Sequence, residues 1–217
     1  MPRPDRRDLP TDPGRRGTLR GLGALAGLAA WPSLAPAQVT FDLPTLMQTL
    51  AQVTSGEATF TERRSVAMLE HNLEFTGRLS FEAPDTFVRE TLRPRQERLA
   101  VVGNNLTMSQ GARSRTVPLD SVPQAAVIID AVRGTLTGNR EAIERRFGAT
   151  VSGSVAHWSL ELVPREASLR DVVSVIRVAG HQALVHEVTV TMADGDKSVM
   201  TIVPVAPSAA APASAAS

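Results

Sequence analysis

The sequence has 217 residues, of which 42% are hydrophobic, 21% are charged and none is cysteine. This length and balance are typical of a globular protein with a core of ordinary size. The absence of cysteine excludes disulfides, thiolate metal sites, a cysteine nucleophile and a lipidated N-terminal cysteine.

The first 37 residues have the three parts of a bacterial export signal. Arginines at positions 15, 16 and 20 form a positive start, an uncharged run of Leu, Ala and Gly covers 22–31, and Ala-Pro-Ala at 35–37 fits a cleavage site. We therefore expect a signal peptide over 1–37, a mature chain that begins at Gln38 and a periplasmic location. The arginine pair indicates the twin-arginine route. A cytoplasmic protein with a basic start and an uncleaved inner-membrane anchor are the alternatives.

Removal of residues 1–37 changes the charge balance, because they contain six Arg and three Asp. The mature chain keeps 17 basic and 19 acidic side chains, a net charge of −2. The basic character of the whole sequence belongs to the signal, and we expect no nucleic-acid partner.

Residues 41–54 predict an amphipathic helix. Asp42 is suited to cap its start, Pro44 is tolerated in its first turn, and Gly56 is expected to stop it. The apolar positions at helical spacing are Leu43, Leu46, Met47, Leu50 and Val53.

Between residues 57 and 116 the apolar pattern changes to a period of two, which predicts a meander of short strands. The clearest stretch is 72–82, where polar and apolar residues alternate and Gly77 falls in phase with the apolar set. One wet face and one apolar face favour an antiparallel sheet. The apolar positions expected to face the interior are Phe60, Leu73, Phe75, Leu79, Phe81 and Phe87.

The middle of the chain predicts two helices. The first covers 124–137, with Ser121 as its N-cap, Pro123 in the first turn and Gly138 just past its end. Its apolar face contains Ala125, Ile128, Ile129, Val132 and Leu136. This helix either closes a curved sheet as a lid or fills it as core, and the pattern leaves both open. A second, short helix begins after Asn139 and extends to Phe147.

Strands resume after the helices and continue to residue 204. Residues 157–164, 172–180 and 183–204 alternate, with Asp194-Gly195 at the tight turn of a hairpin. Residues 205–217 are rich in Ala, Pro and Ser and predict a disordered tail after a domain at 38–204. The order of elements predicts an α+β fold: an open, strongly curved antiparallel β-sheet, or incomplete barrel, with helices covering its concave apolar face.

Catalytic and metal-binding motifs are missing from the sequence. There is no GxSxG elbow, Walker loop, HExxH or dinucleotide glycine fingerprint. His181 and His186 have no third ligand in the pattern, so a strand-edge or core role is favoured over a metal. The segment from Asp194 to Asp196 lacks the later Glu of a calcium loop. We therefore expect no enzyme activity, no cofactor and no metal.

The charged run at Glu62, Arg63 and Arg64 has two interpretations. It forms either a polar switch or ordinary surface charges on a strand, and the surface interpretation is favoured.

The apolar residues of the mature chain are mostly aliphatic, with six Phe and no Tyr. Carbohydrate and nucleic-acid sites usually present aromatic platforms, whereas an aliphatic interior suits acyl chains. Methionines, which adapt to varied apolar shapes, fall in or near predicted strands at Met68, Met108, Met192 and Met200.

Short motifs follow one another in a fixed order between residues 41 and 204. After the N-terminal helix come F-x-E, then G-x-L-x-F-x-x-P-x-x-F, a strand that ends in proline, a G-x-x-L turn and W-x-L-x-L-x-P. Their residues are Phe60, Glu62, Gly77, Leu79, Phe81, Pro84, Phe87, Pro94, Gly103, Leu106, Trp158, Leu160, Leu162 and Pro164. Together they resemble the LolA-like family, the periplasmic carriers of outer-membrane lipoproteins and their relatives.

The resemblance implies an open antiparallel barrel with helices over its concave apolar face, and a role in shuttling an acylated molecule through water. Lipidation adds about 0.8 kcal/mol per buried CH₂, so acyl chains need an apolar container to leave a membrane. The family's lipoprotein carriers have an Arg just before the motif proline, which holds a lid closed, and Ala83 stands there in this sequence.

We therefore expect a non-catalytic periplasmic carrier or chaperone that binds the acyl part of a lipoprotein or other lipid-like cargo and moves it towards the outer membrane. The expected lipid-binding residues are Phe60, Leu73, Phe75, Leu79, Phe81, Phe87, Ile128, Ile129 and Val132. Its expected partners are the cargo, an inner-membrane donor and an outer-membrane acceptor, and it is expected to be a monomer. The alternatives are a non-transporting lipid or lipoprotein sensor of the same fold and, third, a hydrolase.

Overall fold

One antiparallel sheet dominates the fold. The computed structural model describes residues 41–66 and 72–205, all of which belong to one compact unit. Within them the sheet has eleven strands in the order β6-β5-β4-β3-β2-β1-β11-β10-β9-β8-β7. The strands are β1 (Ser55–Ser65), β2 (Leu73–Glu82), β3 (Thr86–Arg93), β4 (Glu97–Val102), β5 (Asn105–Gln110), β6 (Arg113–Pro118), β7 (Phe147–Ser154), β8 (His157–Pro164), β9 (Val173–His181), β10 (Leu184–Met192) and β11 (Lys197–Pro204).

The sheet is open, since β6 and β7 lie at its two ends. Each neighbouring pair of strands is antiparallel. The first strand, β1, joins the two halves by pairing with β2 on one side and with the last strand, β11, on the other. The predicted α+β fold with an open antiparallel sheet is confirmed.

The register of the strands gives the sheet an apolar and a polar face. Residues directly opposite each other on neighbouring strands point to the same side, and one such row crosses six strands. It contains Phe75, Glu62, Met200, Val188, Val178 and Leu160. We call the side with this row the concave face, and the opposite side the convex face. On β1 the convex face carries Thr59, Thr61 and Arg63.

The sheet curves around α2 (Pro123–Leu136), because α2 packs against strands from both halves of the sheet. Val127 of α2 shares a core cluster with residues of β8 and β9, whereas Ile129 shares a second cluster with Val101 of β4. A flat sheet would hold β4 and β9, six positions apart, roughly 29 Å from each other. A helix is only about 10 Å across, so the strands must curl around it.

Two core clusters fill opposite parts of the concave face. The first lies between the helices and β8 to β10, and its buried residues are Leu46, Met47, Leu50, Val127, Ala131, Ile143, Phe147, Trp158, Leu160, Leu162, Leu169, Val173, Ile176, Val178, Val188 and Val190. The second lies between α2 and β4 to β5, and its buried residues are Val101, Leu106, Leu119, Ala126 and Ile129.

The first helix, α1 (Leu43–Leu50), begins as predicted. The backbone N–H of Thr45 donates to the carboxylate of Asp42 at 3.0 Å, which satisfies one of the free donors of the first turn, and Pro44 lies in that turn. The predicted end near residue 54 is wrong. The helix ends at Leu50, and Gly56 lies inside β1, so glycine does not stop the helix.

The start of α2 differs from the prediction in its cap. Ser121 belongs to a short 3₁₀ turn (Leu119–Ser121), and its hydroxyl donates to the Pro118 carbonyl at 2.6 Å instead of capping α2. Val122 takes the N-cap position without a side-chain hydrogen bond. At the other end Gly138 follows the helix with φ of 62°, a left-handed conformation that glycine adopts readily.

Two further helices follow α2. In α3 (Arg140–Arg146), Asn139 caps the start by accepting from the Ala142 N–H at 2.9 Å. The prediction that this helix includes Phe147 is wrong, because Phe147 is the first residue of β7. The pattern predicted neither β7 nor the short α4 (Ala167–Arg170).

The predicted signal peptide at 1–37 lies outside the described residues, and so does the predicted tail apart from residue 205. The division of the chain into signal, domain and tail therefore stays a prediction. In the described part of the chain, no helix has both the length and the apolar character needed to cross a bilayer.

Candidate functional site

A strip of the concave face, formed by β1, β2 and β3, is left out of the packed core. Among the described residues, no side chain of these three strands belongs to either core cluster. In the strand order the strip lies between β4, which packs under the second cluster, and β11, which borders the first. We call this region the concave strip.

The concave strip contains all six sequence-predicted residues of the strands. The register places Phe81 opposite Phe87, Leu79 opposite Ala58 and Phe60 opposite Gly77, so these side chains are neighbours on one face. The six differ in exposure: Phe60 and Leu79 are buried, Leu73 is 42% exposed, and Phe75, Phe81 and Phe87 are half-buried.

The three predicted residues of α2 do not share one environment. Ile128 and Val132 are half-buried and pack against the edge of the first core cluster. Ile129 is 8% exposed and belongs to the second cluster with Val101 and Leu106. The structure therefore separates Ile129, which packs as core, from its two neighbours on the helix.

Gly77 lets β1, β2 and β3 pack closely on the concave face. A Cβ atom at Gly77 would meet the backbone carbonyl of Glu90 and would lie 2.8 Å from Cε1 of Phe60. Only glycine lets the Phe60 ring lie against β2 at this point.

A buried ionic cluster lies in the strip beside the aromatic residues. Glu62 is 2% exposed, and two guanidinium groups donate to its carboxylate. Arg64 Nη2 reaches Oε1 at 3.0 Å and Arg89 Nη2 reaches Oε2 at 2.5 Å. The hydroxyl of Ser198, from β11, also donates to Oε1 at 2.6 Å. Both oxygens of this carboxylate are thus satisfied, as a buried charge requires.

Each arginine of the cluster also covers an aromatic ring. The guanidinium carbon of Arg89 lies 4.7 Å from the centre of the Phe60 ring, and that of Arg64 lies 5.1 Å from the centre of the Phe75 ring. Both distances allow a cation–π attraction.

The surroundings keep Glu62 ionised. Burial alone raises the pKa of a carboxyl group, but the charge of Arg89, the hydrogen bond from Ser198 and the charge of Arg64 outweigh it. The pKa of Glu62 therefore lies below its ordinary value of 4.5. With two cations and one anion, the cluster carries an excess positive charge.

The cluster contradicts the favoured interpretation of residues 62–64 as surface charges. Only Arg63 fits it: its side chain is 71% exposed and pairs with Glu74 at 3.4 Å on the convex face. The sequence does indicate the inward position of Glu62 and Arg64. They follow Phe60 at intervals of two along the strand and therefore share its face.

His181 and His186 lie close together. His181 and His186 have ring centres 6.0 Å apart, and Nδ1 of His186 is buried without a hydrogen-bond partner in the described structure. Within residues 41–66 and 72–205, no three His, Asp or Glu side chains are grouped to hold a metal ion.

A cleft of about 610 Å³ lies beside α2, between the β4–β5 turn and α4. Here Arg133 Nη1 donates to the carbonyl of Gly103 at 3.0 Å. Asp130 pairs with Arg133 at 3.4 Å and with Arg146 of α3 at 3.3 Å. The hydrogen bond to Gly103 joins α2 to the β4–β5 turn, and the pair with Arg146 joins α2 to α3.

Comparison with known proteins identifies the protein family of the chain. A family model described as outer membrane lipoprotein carrier protein LolA-like matches residues 35–217, and the chain belongs to this family. Its members are generally non-catalytic binding or carrier proteins of the cell envelope, and membership supports the binding of a lipid or lipoprotein.

Solved structures resemble the chain at low identity. A LolA superfamily protein from Nitrosomonas europaea has 9% identity and a TM-score of 0.40, over 75% of this chain and 92% of its own. A putative outer membrane lipoprotein-sorting protein domain from Vibrio parahaemolyticus has 10% identity and a TM-score of 0.39, over 74% and 88%. Lipoprotein LppX from Mycobacterium tuberculosis has 9% identity and a TM-score of 0.34, over 74% and 92%. No curated protein matches the chain significantly.

Proposed function

We propose that the chain is a non-catalytic periplasmic carrier that holds the acyl part of a lipoprotein or other lipid-like cargo and moves it towards the outer membrane. The observation that carries the proposal is the concave strip, where apolar side chains of β1 to β3 face inwards and belong to neither core cluster. The family of the chain supports the same class of cargo.

The energetics favour an acyl chain as the occupant of the strip. Moving a CH₂ group out of water gains about 0.8 kcal/mol, so a chain of twelve carbons needs a continuous apolar surface to travel through the periplasm. Phe75, Phe81 and Phe87 are half-buried and have area left to cover. The proposed contacts are these three with Phe60, Leu73 and Leu79, and with Ile128 and Val132 on α2, whereas Ile129 already packs in the second core cluster.

The proposal includes a division of the chain into three parts. We take residues 1–37 as an export signal cleaved before Gln38, residues 38–204 as the carrier domain and residues 205–217 as a tail. A carrier of this kind acts as a monomer between a donor at the inner membrane and an acceptor at the outer membrane.

Two measurements test the proposal. The protein purified from its native periplasm is expected to bring acylated molecules with it, detected by lipid mass spectrometry. The loaded protein is then expected to move them between two populations of vesicles. Binding without transfer would favour a sensor over a carrier, and the absence of both would refute a lipid-binding role.

A matched pair of variants locates the binding. Phe81→Asp places a charge on the concave face of β2, whereas Ser80→Asp places the same charge on the adjacent, convex position. We expect loss of co-purified lipid in Phe81→Asp alone. Equal loss in both variants would place the cargo elsewhere.

A further inference from the structure

The ionic cluster of the concave strip holds more positive charge than the protein itself neutralises. Arg64 and Arg89 share the single carboxylate of Glu62. The neighbouring carboxylates have other partners: Glu74 pairs with Arg63 and Glu90 with Arg98 on the convex face. Glu97, which is opposite Thr91 on the concave side of β4, accepts from Gln110 Nε2 at 3.0 Å. One guanidinium charge beside an apolar surface therefore has no counter-ion among the described residues, which is unfavourable unless water or a ligand supplies one.

Both arginines have hydrogen-bonding capacity to spare. A guanidinium has five N–H donors, and within the described residues Arg64 and Arg89 each use one, towards Glu62. Their side chains are 43% and 21% exposed, so neither guanidinium group is fully enclosed. Guanidinium groups are well suited to carboxylate and phosphate oxygens.

The arginines also lie among the proposed acyl contacts. Arg89 is opposite Leu79 in the register, Arg64 is opposite Leu73, and their guanidinium groups cover the rings of Phe60 and Phe75. An amphiphile on the strip therefore has its apolar part on aromatic and aliphatic side chains within reach of two cations.

We propose that Arg64 and Arg89 form a subsite for an anionic oxygen head group, so that the preferred cargo is an acyl amphiphile with a carboxylate or phosphate. The subsite rests on the proposed lipid-binding function and adds its head-group selectivity. In the empty protein, Glu62 takes the place of the ligand's anion and keeps the two guanidinium groups in position.

Calorimetric titration with three twelve-carbon probes tests the subsite: dodecanoate, dodecyl phosphate and uncharged dodecanol, each below its micelle concentration. We expect at least one anionic probe to bind about tenfold more tightly than dodecanol, as one charge-assisted contact provides. The preferred anion distinguishes a carboxylate from a phosphate source. Equal affinity for all three would overturn the subsite and leave lipid binding intact, whereas no binding of any probe would overturn both.

Adjacent positions on β1 supply the control. Arg64→Gln removes a cation from the concave face, whereas Arg63→Gln makes the same charge change on the convex face. We expect the preference for the anionic probe to fall about tenfold in Arg64→Gln and to persist in Arg63→Gln. An equal fall in both would show long-range attraction instead of a subsite.

A third variant separates ligand binding from a purely structural role. Glu62→Gln removes the internal anion while keeping one carbonyl oxygen that can accept from Ser198 and Arg64, as Oε1 does in the natural protein. Anionic probes are expected to bind more tightly to this variant than to the natural protein, and dodecanol equally. Weaker binding of anionic probes to a Glu62→Gln protein with an unchanged circular dichroism spectrum would contradict the subsite.

Discussion

At the residue scale, Glu62 organises the ionic cluster of the concave strip. Its carboxylate accepts hydrogen bonds from Arg64, Arg89 and Ser198. The alternation of β1 indicates that Glu62 shares a face with Phe60. It does not reveal the partners that keep a charge there, because Arg89 is 27 positions away in the chain and Ser198 is 136 positions away. For this reason the sequence alone favours an exposed position for Glu62, and the structure shows a buried one.

Truncation of Glu62 should destabilise the protein strongly. Glu62→Ala leaves two partly buried guanidinium groups without their anion, and we expect a loss of about 3 kcal/mol in the free energy of unfolding. Glu74→Ala is the control, because its pair with Arg63 is exposed and such pairs contribute about 0–1 kcal/mol. Urea denaturation measures both, and similar losses would show that the buried cluster does not stabilise the fold.

The pH dependence of stability should also report on Glu62. Because its pKa is lowered in the folded protein, its ionisation stabilises the fold above the ordinary value of 4.5 and loses this effect as the pH falls through the lowered pKa. The difference in unfolding free energy between the natural protein and Glu62→Gln should therefore shrink from neutral pH to about pH 3. Urea titrations at several pH values that gave a constant difference would contradict the assignment.

The sequence predicts which face of β2 Gly77 lies on, but it does not predict why a glycine is required there. Its phase with Leu79 and Phe81 is visible in the sequence, but the close approach of Glu90 and Phe60 arises only when β1, β2 and β3 pair.

Alanine at this position should be costly. Gly77→Ala is expected to lower the unfolding free energy by about 1–3 kcal/mol, because the new methyl group has no space. Gly56→Ala on β1 is the matched control, since nothing lies within 4 Å of a Cβ atom there. Thermal denaturation compares them, and an equal stability of the two variants would refute the packing argument.

At the scale of elements, the sequence predicts the strongly patterned helices and strands better than the ends of helices and the weakly patterned strands. The apolar spacing of α2 and the alternation of β2 and β8 are strong, and these elements were placed correctly. β7 was missed because its sequence, FGATVSGS, contains two glycines and small polar residues, so its pairing with β8 is what defines it. Ser121 has the residue type of an N-cap, but its hydroxyl has a nearer acceptor in Pro118.

Arg133 makes the polar contact between α2 and the β4–β5 turn. Arg133→Gln removes the hydrogen bond to Gly103 and the pair with Asp130. We expect amide hydrogen exchange in α2 to accelerate about fivefold, the effect of roughly 1 kcal/mol. Arg140→Gln breaks only the exposed pair with Glu144 in α3 and should leave α2 unchanged. Equal exchange rates of α2 in the two variants would show that Arg133 does not hold the helix.

At the scale of the whole molecule, the essential property is the division of the concave face into two core clusters and one strip whose side chains belong to neither. Alternation and helical spacing predict an antiparallel sheet with helices on its apolar face. They do not predict which strands the helices cover, because that depends on the order in which eleven strands pair and on the curvature around α2. The sequence therefore predicts the residues of the concave strip and not their separation from the two core clusters.

Cysteine protection tests most directly whether an acyl chain occupies this strip. The sequence contains no cysteine, so a single Cys in place of Phe75 or Phe81 on the concave face, or of Thr76 or Ser80 on the convex face, is the only thiol to react with a water-soluble maleimide. At a dodecanoate concentration of about ten times Kd, labelling should slow roughly tenfold at Phe75 and Phe81 and stay unchanged at Thr76 and Ser80. Unchanged labelling at the concave positions, or equal protection of both faces, would contradict the account.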